Sequence, residues 1–165
     1  MNQILEDFAK NYKLLTGEDI LFNANNLDNI FKISPLDILL NRLEPSGVNI
    51  RLASNMFEIL GKNFINEVQY QFQDVNLNGK LLVFMAHADF DTISINLEDH
   101  KIYFAMQGEE YKLLCDDLVV LFKFFNHLCE KILENNKANI LSIAEKYLED
   151  NKFYNIKDFM YFFFE

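Results

Sequence analysis

Leu81 to Ala86 is an unbroken apolar run, Leu-Leu-Val-Phe-Met-Ala, and it restricts the fold more than any other part of the chain. A strand that is apolar on both sides needs cover on both sides, so the run predicts a central strand of a sheet. After it, Thr92 to Asn96 alternates, with Ile93 and Ile95 on one face. Leu97 to His100 makes a connection, and Lys101 to Met106 returns as a strand. This is the clearest hairpin pattern in the chain. Upstream, Val68, Tyr70 and Phe72 alternate with Gln69, Gln71 and Gln73, which predicts a half-buried strand. Asn78-Gly79 then reads as a turn.

Helical signals flank this region. Ile4, Leu5, Phe8, Tyr12 and Leu15 recur at helical spacing, and Gly17 is a natural stop. Ser34-Pro35 reads as a cap followed by a first-turn proline, opening a helix through Leu36, Leu39, Leu40 and Leu43 that Pro45-Ser46-Gly47 breaks. Ser54 or Asn55 predicts a cap for a short helix through Met56, Phe57 and Leu60, ended by Gly61. Asp116 or Asp117 caps a helix carrying Leu118, Leu121, Phe122, Phe125, Leu128 and Ile132. Asn135-Asn136 interrupts, and Ala138 to Glu149 predicts another helix. The tail, with Phe159, Tyr161, Phe162, Phe163 and Phe164, predicts a segment docked on the core; the sharper alternative is an interface plug.

The order of helices, antiparallel meander and helices predicts an α+β fold, a small antiparallel sheet flanked by N- and C-terminal helices. No linker or repeat divides the 165 residues. They are expected to form one domain, residues 1–165, with the core sheet at about 64–106 and a helical part at about 116–165. Half the residues are hydrophobic, so a core can form without metal or disulfide support. Cys115 and Cys129, at or near one predicted helix and about four turns apart, read as small buried thiols in a reducing compartment. The start, MNQILEDFAK, lacks the features of a signal peptide, and no apolar run approaches the ~20 residues that span a bilayer. The expected location is cytoplasmic, with no membrane partner.

Net charge is −10, and much of it is local. Between Asp89 and Asp117 stand eight acids (Asp89, Asp91, Glu98, Asp99, Glu109, Glu110, Asp116, Asp117) against two bases, Lys101 and Lys112, a net of −6. A phosphate backbone needs clustered Lys and Arg, so this balance argues against direct nucleic-acid binding. It favours a basic protein as partner, because complementary fields speed and select encounters. A charge run is most often a solvated face. Clustering across strand, turn and helix start raises the alternative of a single acidic patch at Asp89, Asp91, Glu98, Asp99, Glu109 and Glu110.

Catalytic signatures are weak. On one extended strand His87, Asp89 and Asp91 would share a face and present an imidazole and two carboxylates, a set suited to Zn²⁺ or Mn²⁺. The run leaves the apolar strand near Ala86, so solvated strand-end polarity is the simpler reading. Asp89 or Asp91 followed by Asp99-His100-Lys101 loosely imitates the acid…acid-x-Lys pattern of one nuclease group, but Asp99 and His100 fall in a predicted turn. Cys115 beside Asp116 and Asp117 is poorly placed to be a thiolate. His100 and His127 read as surface or packing residues. No nucleophile elbow, phosphate loop or dinucleotide fingerprint occurs. No catalytic, metal-ligating or cofactor-binding residue is assigned.

The same stretch resembles the SUKH superfamily, the Smi/Knr-like proteins. The matching features are the strand Leu81-Leu82-Val83-Phe84-Met85-Ala86, the acidic turn Asp89-Phe90-Asp91, and the edge strand Ile93-Ser94-Ile95-Asn96. Lys101-Ile102-Tyr103-Phe104 and the Phe- and Leu-rich helix Leu118 to Phe125 follow. The turn departs from the family pattern, with Phe90 where glycine often stands, and the family's Leu-Pro-x-x-Tyr region is not recognisable. The resemblance implies a helix-flanked antiparallel sheet and, most often, a bacterial immunity protein that neutralises a toxin by binding it. It carries no common catalytic residues. The resulting expectation is a non-enzymatic binding protein that occludes a basic toxin. An acidic phage or mobile-element inhibitor that mimics nucleic acid is the alternative, and a metal-dependent hydrolase using His87, Asp89 and Asp91 is a third class.

Overall fold

A computed structural model describes residues 1–21, 31–52, 56–69, 80–87, 91–134 and 137–164, with the backbone alone described at 68 and 137. The fold is α+β. Six strands form one antiparallel meander in sequence order: β1 (Val48–Arg51), β2 (Met56–Ile59), β3 (Leu81–His87), β4 (Thr92–Asn96), β5 (Ile102–Ala105) and β6 (Lys112–Cys115). Before and between them lie α1 (Asn2–Thr16), α2 (Ser34–Arg42) and a single turn, α3 (Ile65–Val68). After them come α4 (Leu118–Leu133), α5 (Ile140–Asp150) and α6 (Ile156–Phe164).

The sheet is wider than the 64–106 expected from sequence. The segment Met56, Phe57, Leu60, expected as a helix, contributes β2 instead. Its alternation decides the matter: Phe57 and Ile59 are buried, while Met56 and Glu58 are exposed. Four residues fit either period, and pairing with β1 and β3 selects the extended one. Gly61 permits the return, because a Cβ there would lie 2.2 Å from the Gly47 nitrogen and the Pro45 carbonyl oxygen. Val68, expected to open a strand with Tyr70 and Phe72, closes α3. Tyr70, Phe72 and the Asn78-Gly79 turn lie outside the described residues, as do Ser54, Asn55 and Asn135-Asn136. The final strand β6 went unforeseen, because Lys112-Leu113-Leu114-Cys115 shows no alternation.

β3 is the central strand that its apolar run predicts, with Leu81 to Met85 all buried. An irregularity between Val83 and Met85 shifts its register against β4. β2 pairs with residues 85–87, and among the described residues no strand lies beside the first half of β3 on that side. The Gln69 carboxamide fills the gap. Its Nε2 donates to the Val83 carbonyl and its Oε1 accepts from the Val83 N–H, both at 2.9 Å. One side chain thus supplies the donor and acceptor of a missing neighbour.

Register carries Ile59, Met85, Ile93 and Phe104 across one face of the sheet. On this face lies α6, whose Phe159 and Phe162 meet Phe104 at ring-centroid distances of 5.4 and 5.2 Å. Phe163 stacks on Phe57 at 5.3 Å and on Phe125 of α4 at 5.7 Å. The aromatic tail is therefore docked within its own chain. Each fully buried ring contributes about 1.5–3 kcal/mol over an exposed one. Along α4 lies α1, with Phe8 between Phe122 and Phe125. Helix boundaries fall near the predicted ones. Gly17 ends α1 in the left-handed region at φ +82°, and Ile33 rather than Ser34 takes the flanking position of α2. Asp117 caps α4, its Oδ1 accepting from the Val120 N–H at 2.9 Å. A 3-10 turn at Lys137–Asn139 precedes α5, which starts two residues later than expected.

Both outer strands are covered. The Tyr12 hydroxyl lies against β1, donating to the Asn49 carbonyl (3.4 Å) and accepting from the Arg51 N–H (3.1 Å). Along β6, the Tyr154 N–H donates to the Leu114 carbonyl and Asn155 Nδ2 to the Leu113 carbonyl, each at 2.8 Å. Capped edges of this kind do not template further strands.

Candidate functional site

The acidic residues singled out in the sequence do not meet in one place. An antiparallel meander sends its connections alternately to two ends of the sheet. β4 holds those ends five residues apart, roughly 17 Å at 3.3–3.4 Å per residue. Asp91, Glu109 and Glu110 fall at the end formed by the β3–β4 and β5–β6 connections. Glu98 and Asp99 fall at the opposite end, in the β4–β5 turn, with Asp116 and Asp117 following β6. Asp89 lies outside the described residues.

At the β4–β5 turn the acids are engaged locally. Asp99 Oδ1 accepts from the Lys101 N–H (3.0 Å), and Asn96 Oδ1 accepts from the Glu98 N–H (2.8 Å). His100 takes φ +63° to complete the reversal. Glu98 pairs with Lys80 at 2.9 Å, both side chains largely in water. These contacts shape a tight turn. Asp117 is likewise engaged, as the cap of α4.

The other end is tied across more of the chain. Asp91 Oδ1 accepts from the Gln107 N–H (2.9 Å), while its carbonyl accepts from the His87 N–H (2.8 Å). Asp91 thereby clips the β3–β4 connection to the β5–β6 connection. Next to it, the Thr92 hydroxyl meets the Tyr111 hydroxyl at 3.2 Å. Lys112 on β6 pairs with Glu109 (3.2 Å) and with Asp158 of α6 (3.1 Å). Hydrogen bonds to Asp158 and Glu109 raise the Lys112 pKa, so the ammonium stays charged. One cation is shared by two carboxylates, and exposed Glu110 adds a third close in sequence. One turn beyond Asp158, Tyr161 is 57% exposed. Asp158, Lys112 and Tyr161 were not predicted as site residues. Their link joins a β-strand to the last helix, which no local pattern announces.

His87 and Asp91 do not share a strand. His87 ends β3 with its ring 5.6 Å from Phe57, and Asp91 precedes β4. Among the described residues no group of three His, Cys, Asp or Glu side chains is arranged to hold a metal ion. Asp99 and His100 sit in a turn, not on the strand that the nuclease pattern wants. Both cysteines are buried. Burial, followed by the adjacent Asp117 and Asp116 charges, pushes the Cys115 thiol far up, despite its contact with the Asp117 carbonyl. Burial also pushes Cys129 up to about 12. Neither thiol is disposed to nucleophilic chemistry. His127 packs on Tyr147, ring centroids 4.4 Å apart.

No helix among the described residues is long and apolar enough to cross a membrane. No protein-family model, curated protein or solved structure matches this chain.

Proposed function

We propose that this protein is a cytoplasmic, non-enzymatic binding protein that neutralises a basic protein partner, a bacterial toxin, by occluding it with an acidic surface. The observation that carries this reading is the end of the sheet where Glu109, Lys112 and Asp158 form one ion-pair chain, with Glu110 next in sequence and Asp91 tied to the same connection through the Gln107 N–H. Of the four carboxylates at that end, Glu109 and Asp158 share the one lysine, Lys112, and the exposed Tyr161 ring offers apolar contact area of the kind that anchors interfaces. Asp91 acts as the clip that fixes the two connections, while Glu109 and Glu110 present charge. Glu98 and Asp99 belong to a separate turn, so they are peripheral to this surface. The resemblance to SUKH immunity proteins supports the same reading.

Co-expression tests it. The gene adjacent to this one is expressed in a sensitive host with and without this protein, and growth and complex formation by size exclusion are read. Rescue together with a stoichiometric complex is the expected result. Unrelieved toxicity, or rescue without any complex, contradicts occlusion.

A further inference from the structure

A cation of the chain itself sits among the acids at the Asp91 end of the sheet. Among the described residues Lys13, Lys80 and Lys131 each pair with one carboxylate. Lys112 lies between two. Its Nζ is 3.2 Å from Glu109 Oε2, on the β5–β6 connection, and 3.1 Å from Asp158 Oδ2, on α6. Two carboxylates brought from separate elements onto one point make a seat for a single positive group, and the ammonium in it shows the chemistry that the seat accepts. The seat opens to solvent, with the Glu109 and Asp158 side chains 46% and 49% exposed and that of Lys112 32% exposed. Ion pairs this wet are weak. The lysine stem is flexible, so the ammonium can swing away while β6 keeps Lys112 in register with Phe104.

We infer that Lys112 is an internal competitor: it fills the Glu109–Asp158 seat in the free protein, and a basic side chain of the partner binds by taking one of the two carboxylates from it. The inference rests on the reading of this end of the sheet as the partner-binding surface, and it adds how that surface is masked. In the exchange Lys112 keeps the other carboxylate, so no charge is left unpaired. A partner lysine that merely replaces Lys112 gains little, which means that the surface rewards a partner carrying several basic groups over one with a lone cation. Exposed Glu110 attracts such a partner, while exposed Lys157, beside Asp158 on α6, repels all positive groups alike.

Titration of the full chain with an oligo-arginine peptide tests the exchange, read by calorimetry and by the Lys112 ammonium resonance. Lys112→Met and Lys80→Met each remove one positive charge, at opposite ends of the β4–β5 hairpin. Lys112→Met is expected to bind the peptide about fivefold or more tighter than the unaltered protein, because a like charge beside the bound group is gone. Lys80→Met is expected to stay within about twofold, since its charge is screened at that distance. Lys112→Arg keeps the competitor and should bind no tighter than the unaltered protein. In the unaltered protein, added peptide should move the Lys112 ammonium resonance more than that of Lys80. These readouts need no toxin, so failure of the masking and failure of toxin neutralisation are told apart. Equal gains from the two methionine variants would reduce the effect to net charge and overturn the inference. So would a gain in Lys112→Arg, a Lys112 resonance unmoved at saturation, or no binding by any of the proteins.

Discussion

The two ends of the β4–β5 hairpin carry acidic residues in similar number but are built on different plans. At the Glu98 end, the Asn96 and Asp99 side chains accept from the Glu98 and Lys101 N–H groups within a few residues to form a turn, and the one longer tie is the exposed Glu98–Lys80 pair. At the Asp91 end, the partners come from the β3–β4 connection, the β5–β6 connection, β6 and α6. Local acids are explained by the turn they form. Acids gathered from three separate elements have no such explanation, and one of them, Asp158, lies one helical turn from an exposed tyrosine. The difference teaches that charge density along a sequence is a poor guide to charge density in space.

The comparison can be broken most severely from the core. Phe163→Ala removes a ring stacked on both Phe57 and Phe125, and a loss of about 3–5 kcal/mol is expected in chemical denaturation. If the protein survives, exchange should rise in α6 and β6 while the β4–β5 turn keeps its protection. Equal loosening of both ends would show that they are not independently built. Asp117→Ala acts near the other end. Loss of the cap on α4 should lower stability by about 1 kcal/mol and leave the Lys112–Asp158 contact in place, which the chemical shift of the Lys112 ammonium would report.

Between the ends, Thr92 and Ser94 share one face of β4 and are both buried, yet only the Thr92 hydroxyl has a partner, Tyr111. Ser94→Ala removes an unpaired polar atom and should be neutral or stabilising by up to about 1 kcal/mol. A clear destabilisation would mean that Ser94 Oγ is satisfied in solution. The smallest stability effect is expected from Lys112→Met, since its pairs with Glu109 and Asp158 are largely in water. Its interest lies in binding, where removing the lysine that Glu109 and Asp158 share should strengthen capture of a basic partner.

Much of the fold was legible where pattern was long or chemically specific. The apolar run of β3, the alternation of β4, the heptad-like spacing in α1 and the Asp117 cap all mark their elements directly. The short strands β1, β2 and β6 were not legible, because four residues give too few alternations and their pairing depends on distant partners. The same limit applies to the site. Asp91, Glu109 and Glu110 stand out as acids in the sequence, but the ties to Gln107 and Asp158 are set by sheet topology and by where α6 docks.

The most direct test of the acidic-surface reading compares two charge variants in equilibrium binding to the product of the adjacent gene, as recovered in the co-expression experiment, at two salt concentrations. One is Glu109→Lys with Glu110→Lys; the other is Glu98→Lys with Asp99→Asn, which keeps the turn-forming side chain. The account predicts that the first weakens binding about tenfold or more and flattens its salt dependence, while the second stays within about threefold. Equal affinities for both variants and the unaltered protein, or a larger loss at Glu98 and Asp99, would contradict it.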